Sequence, residues 1–303
     1  MDQLSAMRAF VRVVESGNFS RAAESLSMPK ATVTNLIQGL ETHLRTKLLN
    51  RTTRRVMVTT DGALYYERAA QLLSEIDELD NSLSHSQGAP SGRLRVEMAG
   101  AFAEEIVVPA LGDFYKRYPD IRIDLGVGDR LVDYLAENVD CALRAGTPMD
   151  QSLIARKVVD LDMITCAAPA YIDRFGLPDH PEDLQSDHIC VAYLRVQSSK
   201  PFPFEFLRDG QTLEIDARYL VSVNDGRTYL TAALNGLGIV QSPRFMVRQA
   251  IEDGRLRQVL PEWELEPMPV YIVYPQTRHL SNKVRVFVDW LANLLRACDL
   301  NRA

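Results

Sequence analysis

The chain has 303 residues, 46% hydrophobic and 24% charged, which is the composition of a globular protein with about two domains. No apolar run approaches the ~18 residues of a membrane-spanning helix and no signal-peptide pattern opens the chain, so we expect a cytoplasmic protein with no membrane partner. The four cysteines are far apart, and no H-E-x-x-H, G-x-S-x-G or P-loop pattern occurs, which argues against a metal site, a disulfide framework and the common enzyme classes.

The net charge of −6 is unevenly distributed along the chain. Residues 1–60 carry nine Lys or Arg against four Asp or Glu, so this segment has a charge of +5 and the remainder has −11. A basic segment attracts the phosphates of nucleic acid to one end of the molecule, whereas the acidic remainder disfavours indiscriminate binding. The first 60 residues are therefore the candidate nucleic-acid-binding domain.

Residues 4–44 have the apolar periodicity of three short helices. The first ends at Gly17-Asn18, Ser20 is the expected N-cap of the second, and Pro29 suits the first turn of the third. The third helix has an apolar side beginning at Val33 and an opposite side of small or hydrogen-bonding residues: Ala31, Thr34, Asn35, Gln38 and Thr42. Two helices joined by a tight turn, the second exposing such side chains to the major groove, are typical of a helix-turn-helix. From periodicity alone, a three-helix core whose polar side meets only water is an equally good interpretation.

The basic run Arg51-Thr52-Thr53-Arg54-Arg55 precedes a short strand-like segment at 56–58. Alone, such a cluster is more often a solvated loop. Directly after a candidate recognition helix, it predicts a wing that contacts phosphates or the minor groove.

A long helix is predicted from Thr59-Thr60-Asp61-Gly62 to about Ser86. Its apolar residues follow a heptad pattern over nearly three repeats, with Leu64 and Leu73 at the flanks: Tyr65, Ala69, Leu72, Ile76, Leu79 and Leu83. Because the helix lies between two globular segments, the pattern predicts a dimer seam; the alternative is a helix packed on its own domain. Residues 87–92 predict a hinge.

From residue 93 onward, strands alternate with helices, which predicts two mostly parallel α/β units. In the first unit, strands are predicted at 94–98, 121–125 and 141–144 and helices at 102–118 and 131–137. In the second unit, strands are predicted at 163–167, 188–193, 218–223 and 239–240, and helices after Pro169 and at 225–234. A strand at 270–274 and a helix at 283–297 return to the first unit.

Several spaced motifs resemble those of the LysR-type transcriptional regulators. The matching runs are Phe10…Val14-Glu15-Ser16-Gly17-Asn18-Phe19-Ser20-x-Ala22-Ala23-x-x-Leu26, then Val33-Thr34-x-x-Ile37-x-x-Leu40-Glu41-x-x-Leu44, Leu48-Leu49-Asn50-Arg51-Thr52-Thr53-Arg54 and Thr59-Thr60-Asp61-Gly62. Tyr118-Pro119, the run 140–146 and Gly236-Leu237-Gly238-Ile239 follow in the family's order. The resemblance covers essentially the whole chain.

This resemblance implies an α/β protein with an N-terminal winged helix-turn-helix at 1–60, a linker and dimerisation helix at 61–88 and an effector-binding domain at 89–303. That last domain would resemble periplasmic binding proteins, with subdomain I at about 92–165 and 269–303 and subdomain II at about 166–268. The implied function is that of a sequence-specific transcriptional regulator, not an enzyme, controlled by a small-molecule co-inducer and needing no cofactor. The implied partners are double-stranded DNA, RNA polymerase and further copies of the chain in a homodimer or homotetramer.

The resemblance also assigns site residues. In DNA binding it implicates Ser20, Arg21, Lys30, Thr32, Thr34, Asn35, Gln38, Arg51, Arg54 and Arg55, with a recognition helix from Pro29 to Leu40. Lys30 and Thr34 stand where the family often has Gln and Ser.

In effector binding the resemblance implicates a cleft between the subdomains, where strand ends and helix N-termini favour anions. Its expected lining is Gly100, Ala101, Phe102, Asp129, Arg144, Gly146, Thr147, Ser198, Ser222, Asn224 and Asp225. Many relatives have Ser or Thr in the first of these loops, whereas here backbone N–H groups would bind a carboxylate and Phe102 would form an apolar wall. Arg144 is either an anion partner or a salt-bridge partner of a neighbouring Asp.

Two other functions stay open from the residues alone. A solute-binding protein would deliver a ligand without touching DNA, but the basic first 60 residues and the missing signal peptide count against it. An α/β enzyme carrying a helix-turn-helix is disfavoured because no nucleophile–base pair or metal cluster is evident.

Overall fold

The computed structural model describes residues 2–51, 56–83, 89–130, 133–134, 137–148, 150, 152–195, 200–276 and 280–301. The chain divides into two units, Met1–Gly88 and Ala89–Ala303. Among the described helices, none combines the length and the apolar character required to span a bilayer.

The described residues of the first unit form four helices and a small hairpin. Its elements are α1 (Gln3–Ser16), α2 (Phe19–Ser25), α3 (Lys30–Leu44), β1 (Leu49–Arg51), β2 (Val56–Val58) and α4 (Thr60–Leu83). Strands β1 and β2 are antiparallel, with Leu49 opposite Val58.

The helix boundaries follow from local capping. Gly17 adopts a left-handed conformation (φ 63°) and ends α1. Asn18 rather than Ser20 caps α2, because its Oδ1 accepts the backbone N–H of Ser20 at 2.7 Å. The predicted cap at Ser20 is therefore wrong, and Ser20 lies in the first turn. Pro29 takes the N-cap position of α3, one residue before the turn in which we expected it.

The core of the first unit also includes the start of α4. Phe10 of α1 packs edge-on against Tyr65 at 5.6 Å, and Ala69 and Leu73 are buried in the same cluster. The heptad pattern therefore does not serve as a dimer seam at Tyr65 and Ala69; the alternative, packing on the helix's own domain, holds there. On this helix Leu64 and Leu72 are exposed by 66% and 49%.

Three predictions about the end of this helix fall outside the described residues. The side chains of Leu79 and Leu83 belong to that part, as do the predicted helix end at Ser86 and the first residues of the hinge at 87–92.

The second unit contains two lobes. Lobe 1 begins with β3 (Gly92–Met98), α5 (Gly100–Phe102), a π-helical turn (Ala103–Val107), α6 (Val108–Arg117), β4 (Ile121–Val127), β5 (Cys141–Ala145) and β6 (Leu153–Leu161). Lobe 2 comprises β7 (Met163–Ala167), α7 (Pro169–Phe175), α8 (Asp183–Ser186), β8 (Cys190–Tyr193), β9 (Phe204–Arg208), β10 (Gln211–Ile215), β11 (Tyr219–Val223), α9 (Gly226–Leu234), β12 (Val240–Pro243), α10 (Arg244–Glu252) and β13 (Arg257–Gln258). The chain then returns to lobe 1 with β14 (Met268–Pro275) and α11 (Asn282–Ala297).

The sheets are mixed rather than mostly parallel. In lobe 1 the strand order is β4-β3-β5-β14-β6, with β3 parallel to both neighbours and β14 antiparallel to both of its own. In lobe 2, β8 and β11 are parallel, whereas β7 is antiparallel to β12 and β13. The prediction was wrong because strands that return from distant parts of the chain do not show their direction in local sequence.

Two boundaries differ from expectation. Strand β7 pairs within lobe 2, so the crossing between the lobes lies at Asp162, before the predicted limit near 165. The helix predicted from Phe102 begins at Gly100 and contains the π-helical turn. The regular backbone hydrogen bonds of the helix are interrupted there because Pro109 has no N–H to donate.

Of the helix predicted at 131–137, the described residues Asp133, Tyr134 and Glu137 are not helical, and the others lie outside the described part.

The core of lobe 1 is formed by residues of β3, α6 and α11. Leu94 and Met98 of β3 are fully buried against Phe287 and Leu291 of α11. Phe114 of α6 completes this core, with its ring 5.5 Å from that of Phe287. Because β3, β4 and β5 are parallel, their carboxyl ends lie along the same edge of the sheet.

Candidate DNA-binding and effector sites

The exposed side of α3 carries the residues predicted to contact DNA bases. Lys30, Thr32, Asn35 and Gln38 are exposed and Thr34 is half-buried. The opposite side, including Val33, is fully buried in the unit's core. A helix held by one side and covered with small polar groups on the other has the geometry that enters a major groove.

The other predicted DNA contacts lie at the start of α2 and in the hairpin. Ser20 is half-buried and Arg21 exposed, and Asn18 Oδ1 accepts both of their backbone N–H groups. Arg51 belongs to β1, but its side chain is outside the described part of the chain. Arg54 and Arg55 also lie outside the described residues.

A buried carboxylate connects α3 to the hairpin. Glu41 is 4% exposed; its Oε1 accepts the backbone N–H groups of Leu48 at 2.9 Å and Leu49 at 3.1 Å, and its Oε2 accepts from Lys47 Nζ at 2.9 Å. Burial acts to raise the pKa of Glu41, but the hydrogen bonds from Lys47 and the two backbone groups outweigh it and lower that pKa. The sequence interpretation missed this role, although Glu41 lies four residues after buried Ile37 and so on the apolar side.

The start of α4 is fixed against the two residues that precede β1, Lys47 and Leu48. Thr59 Oγ1 donates to the carbonyl oxygens of Lys47 (2.7 Å) and Leu48 (3.2 Å), and accepts the N–H of Gly62 at 2.9 Å. A Cβ at Gly62 would lie 2.1 Å from the carbonyl oxygen of Leu48. The Thr-Thr-Asp-Gly motif is thus a cap followed by a close backbone approach.

Arg144 lies near the end of β5, close to the end of β4. Its Nη1 donates to the carbonyl oxygen of Gly128 at 3.4 Å. Its Nε and Nη2 are buried without a hydrogen-bond partner among the described residues. The predicted ion pair of Arg144 with a neighbouring Asp is therefore not formed within the described chain, and its contact with an anion stays a prediction. Buried guanidinium N–H groups without an acceptor are unfavourable, and a ligand anion would supply one.

Asp129 connects the two lobes. It follows β4 in lobe 1, and its Oδ2 accepts from Tyr193 Oη and from the backbone N–H of Gly226, each at 2.7 Å. Burial raises the pKa of the Tyr193 phenol, and the charge of Asp129 and this hydrogen bond raise it further. The phenol therefore remains a hydrogen-bond donor. Tyr193 and Gly226 were not predicted as site residues.

Ion pairs join the lobes beside this contact. Arg227 of α9 binds Glu104 at 2.8 Å and Glu105 at 2.9 Å, both from the π-helical turn of lobe 1. Burial raises the pKa of Glu105, Arg227 acts to lower it, and the net shift is upward.

The first predicted effector loop packs between the lobes. Gly100, Ala101 and Phe102 are all buried, and the Phe102 ring stacks on that of Phe245 in α10 at 5.4 Å. Phe102 is therefore covered by lobe 2 in this structure, and its role as an apolar wall of an effector cleft stays a prediction.

The remaining predicted effector residues divide between backbone and surface roles. Asp225 caps α9, with its Oδ1 accepting from Thr228 N and Oγ1 at 2.7 Å each. Gly146 has φ 85°, while Thr147, Ser222 and Asn224 are exposed. Ser198 lies outside the described residues.

Lobe 2 also holds an open cavity of about 360 Å³. It is lined by Cys190, Ala192, Lys200, Pro201, Phe202, Phe204, Asp216, Ala217 and Tyr219. Within the described part of the chain, no group of three His, Cys, Asp or Glu side chains is placed to hold a metal ion.

Comparison with known families decides between the open interpretations. Residues 4–63 match the bacterial regulatory helix-turn-helix of the lysR family, and residues 87–296 match the LysR substrate binding domain. The chain belongs to the LysR family. The HTH-type transcriptional regulator YhjC of Escherichia coli K12 is 40% identical over 98% of this chain and 99% of its own length. The transcriptional repressor PA14_22550 of Pseudomonas aeruginosa is 38% identical over 97% of this chain and 92% of its own.

Among solved structures, that of CrgA, a LysR-type transcriptional regulator from Neisseria meningitidis, is similar over 96% of this chain and 98% of CrgA, with 31% identity and a TM-score of 0.58. The predicted family, fold and function are thereby confirmed. This LysR family member is a DNA-binding transcriptional regulator with an effector-binding regulatory domain, not an enzyme. LysR family proteins bind DNA and small-molecule effectors and form oligomers.

Proposed function

We propose that this LysR family regulator recognises its operator through the exposed side of α3. The observation that carries the proposal is the outward placement of Asn35 and Gln38 on a helix whose other side is fully buried. Their amides offer the donor and acceptor pair that matches adenine in the major groove. The basic hairpin run 51–55 would add phosphate contacts that position the helix without reading sequence.

The test uses the duplex upstream of the regulator's own gene. Asn35→Ala and Gln38→Ala should each weaken binding by about 1–3 kcal/mol and relax sequence preference, with affinity for an unrelated duplex unchanged. His43→Ala is the matched control, because His43 is exposed on the same helix but faces away from Gln38. If both amide variants bind the operator as tightly as the parent chain, this side of α3 is not the reading surface.

We further propose that the effector is a small anion bound where the strands of lobe 1 end. Two buried N–H groups of Arg144 without an acceptor in the described chain support this, since carboxylates pair with guanidinium groups. A thermal-shift screen of aromatic acids, amino acids and other metabolic acids should find a stabilising ligand. The stabilisation should be lost in Arg144→Gln. Equal shifts in both proteins would place the ligand elsewhere, with the cavity of lobe 2 as the next site to test.

The assembly that we propose is a homodimer through α4 that pairs into a homotetramer, acting in the cytoplasm and contacting RNA polymerase at the promoter. The exposed Leu64 and Leu72 support the dimer, because large apolar side chains on a helix favour burial against a partner. Leu72→Glu should shift sedimentation toward the monomer. An unchanged sedimentation profile would exclude this side of α4 from the interface.

A further inference from the structure

The Asp129 contact contains a small anion-recognition site. Two donors from lobe 2, the Tyr193 hydroxyl and the Gly226 N–H, point to one carboxylate oxygen at 2.7 Å each. Gly226 is the first residue of the nine-residue helix α9, where unpaired N–H groups and the helix dipole favour negative charge. A phenol and a helix-start N–H together form a donor pair suited to a carboxylate.

The carboxylate that these donors bind belongs to the other lobe. Asp129 lies 64 residues from Tyr193 and 97 from Gly226 in sequence, so the contact is a connection between lobes and not a local cap. The local cap of α9 is supplied separately by Asp225, which accepts the N–H of Thr228. Asp129 therefore adds a second, external anion at the start of the helix.

A second observation points to anion binding in the same place. Gly128, the residue before Asp129, accepts a hydrogen bond from Arg144 Nη1, while Arg144 Nε and Nη2 are buried with no acceptor in the described chain. Donors for an anion thus lie on both sides of one loop. Those on the lobe 2 side are bound by the protein's own carboxylate, and those on the lobe 1 side are not.

We propose that Asp129 acts as an internal ligand of the Tyr193–Gly226 donor pair and that a small carboxylate effector competes with it for those donors. This inference rests on the proposed function in that it assigns the effector's chemical class and its point of action. When the effector replaces Asp129, one connection between the lobes is lost. Binding is thereby linked to movement of lobe 2 relative to lobe 1, because the effector favours the arrangement in which Asp129 is released.

Chemical rescue in the full chain tests the inference. Asp129→Ala removes the carboxylate and leaves space for formate, which is the probe; sodium chloride at the same ionic strength is the salt control. Asp173→Ala, an exposed carboxylate on α7, is the control variant. We expect Asp129→Ala to lower Tm by several degrees, and formate to restore Tm saturably where chloride does not. The parent chain and Asp173→Ala should show no such difference between formate and chloride.

Tyr193→Phe in the Asp129→Ala background should abolish the rescue, since the phenol is one of the two donors. Formate and chloride acting alike on Asp129→Ala would overturn the proposal. Should Asp129→Ala not fold, Asp129→Asn and Tyr193→Phe replace it in a double-mutant cycle. If the two substitutions change the free energy of unfolding non-additively, the contact is supported; if their changes simply add, it is refuted.

Neither DNA nor a natural effector enters this measurement. Failure of the rescue would therefore leave the operator and Arg144 proposals standing. Failure of those two tests would leave the rescue result unaffected.

Discussion

Replacement of Glu41 should uncouple the hairpin from the recognition helix. In Glu41→Ala, the backbone N–H groups of Leu48 and Leu49 lose their acceptor in a buried position. Each buried donor without a partner costs about 1–3 kcal/mol, so we expect a loss of about 3 kcal/mol or more in the free energy of unfolding. Lys47 adds little, because its side chain is 75% exposed.

Glu41→Gln separates the hydrogen bonds from the charge. The Gln oxygen still accepts both backbone N–H groups, but hydrogen bonds to a neutral acceptor are weaker than those to a carboxylate. We therefore expect a loss of about 1–2 kcal/mol in the free energy of unfolding. For a unit of this size, 1 kcal/mol shifts Tm by about 4–8 °C. Circular dichroism of the full chain should therefore show the first unit's transition lowered by at least about 4 °C.

The pH dependence supplies a second check. Because folding lowers the pKa of Glu41, the stability that its charge contributes is present above the unfolded-state value of about 4.3. It is lost as the pH falls from there through the folded-state pKa. The Tm gap between the parent chain and Glu41→Gln should thus be constant near neutral pH and close below about pH 4.3.

Glu24→Gln is the matched control, since Glu24 is an exposed carboxylate on α2. It should change the free energy of unfolding by no more than about 0.5 kcal/mol. If Glu41→Gln and Glu24→Gln shift Tm equally, the buried carboxylate does not hold the hairpin and the reasoning fails.

Three further predictions concern backbone packing, capping and titration. Gly62→Ala should lower the free energy of unfolding in urea by about 2–3 kcal/mol, because the added Cβ meets the Leu48 carbonyl. Gly112→Ala, in an open helical position, should raise that free energy by about 0.5–1 kcal/mol. Changes of the same sign in the two variants would contradict this reasoning. Asp225→Ala should cost about 1 kcal/mol through loss of the α9 cap while Asp225→Asn stays near the parent value, and equal losses would refute the capping role. Burial raises the pKa of Glu105, so this residue's contribution to folding stability is present below about pH 4.3 and is lost as the pH rises through the folded-state pKa. The Tm of Glu105→Gln minus that of the parent chain should therefore rise over this pH interval. A Tm difference that does not depend on pH would exclude the effect.

Local periodicity predicted the first unit well, because burial of one helix side repeats every three or four residues. The sequence alone predicts both the inward side of α3 and its polar opposite side. Glu41 was missed, although its position relative to Ile37 placed it on the apolar side. Its partners explain why, since a carboxylate on such a side is stable only when backbone N–H groups from a later segment reach it.

In the second unit, the missed elements differ in how much signal they carried. The β9–β10 hairpin turns at Asp209-Gly210, whose φ values of 51° and 76° suit the Asp-Gly preference of tight hairpins, so this turn was predictable. Strand β6 has no comparable marker. The contact of Asp129 with Tyr193 and Gly226 could not have been found locally, because it depends on how the chain crosses between lobes.

The packing of Tyr65, Ala69 and Leu73 into the core of the first unit has a mechanical consequence for signalling to DNA. The first turns of α4 cannot rotate against α1 without opening the apolar interior that contains both Phe10 and Ala69. A rotation applied further along α4 would therefore turn the helices of the first unit together, as one rigid body. In the homodimer that we propose, control of transcription would then operate through the angle and spacing of the two first units on the double helix, and not through a change of shape within either one.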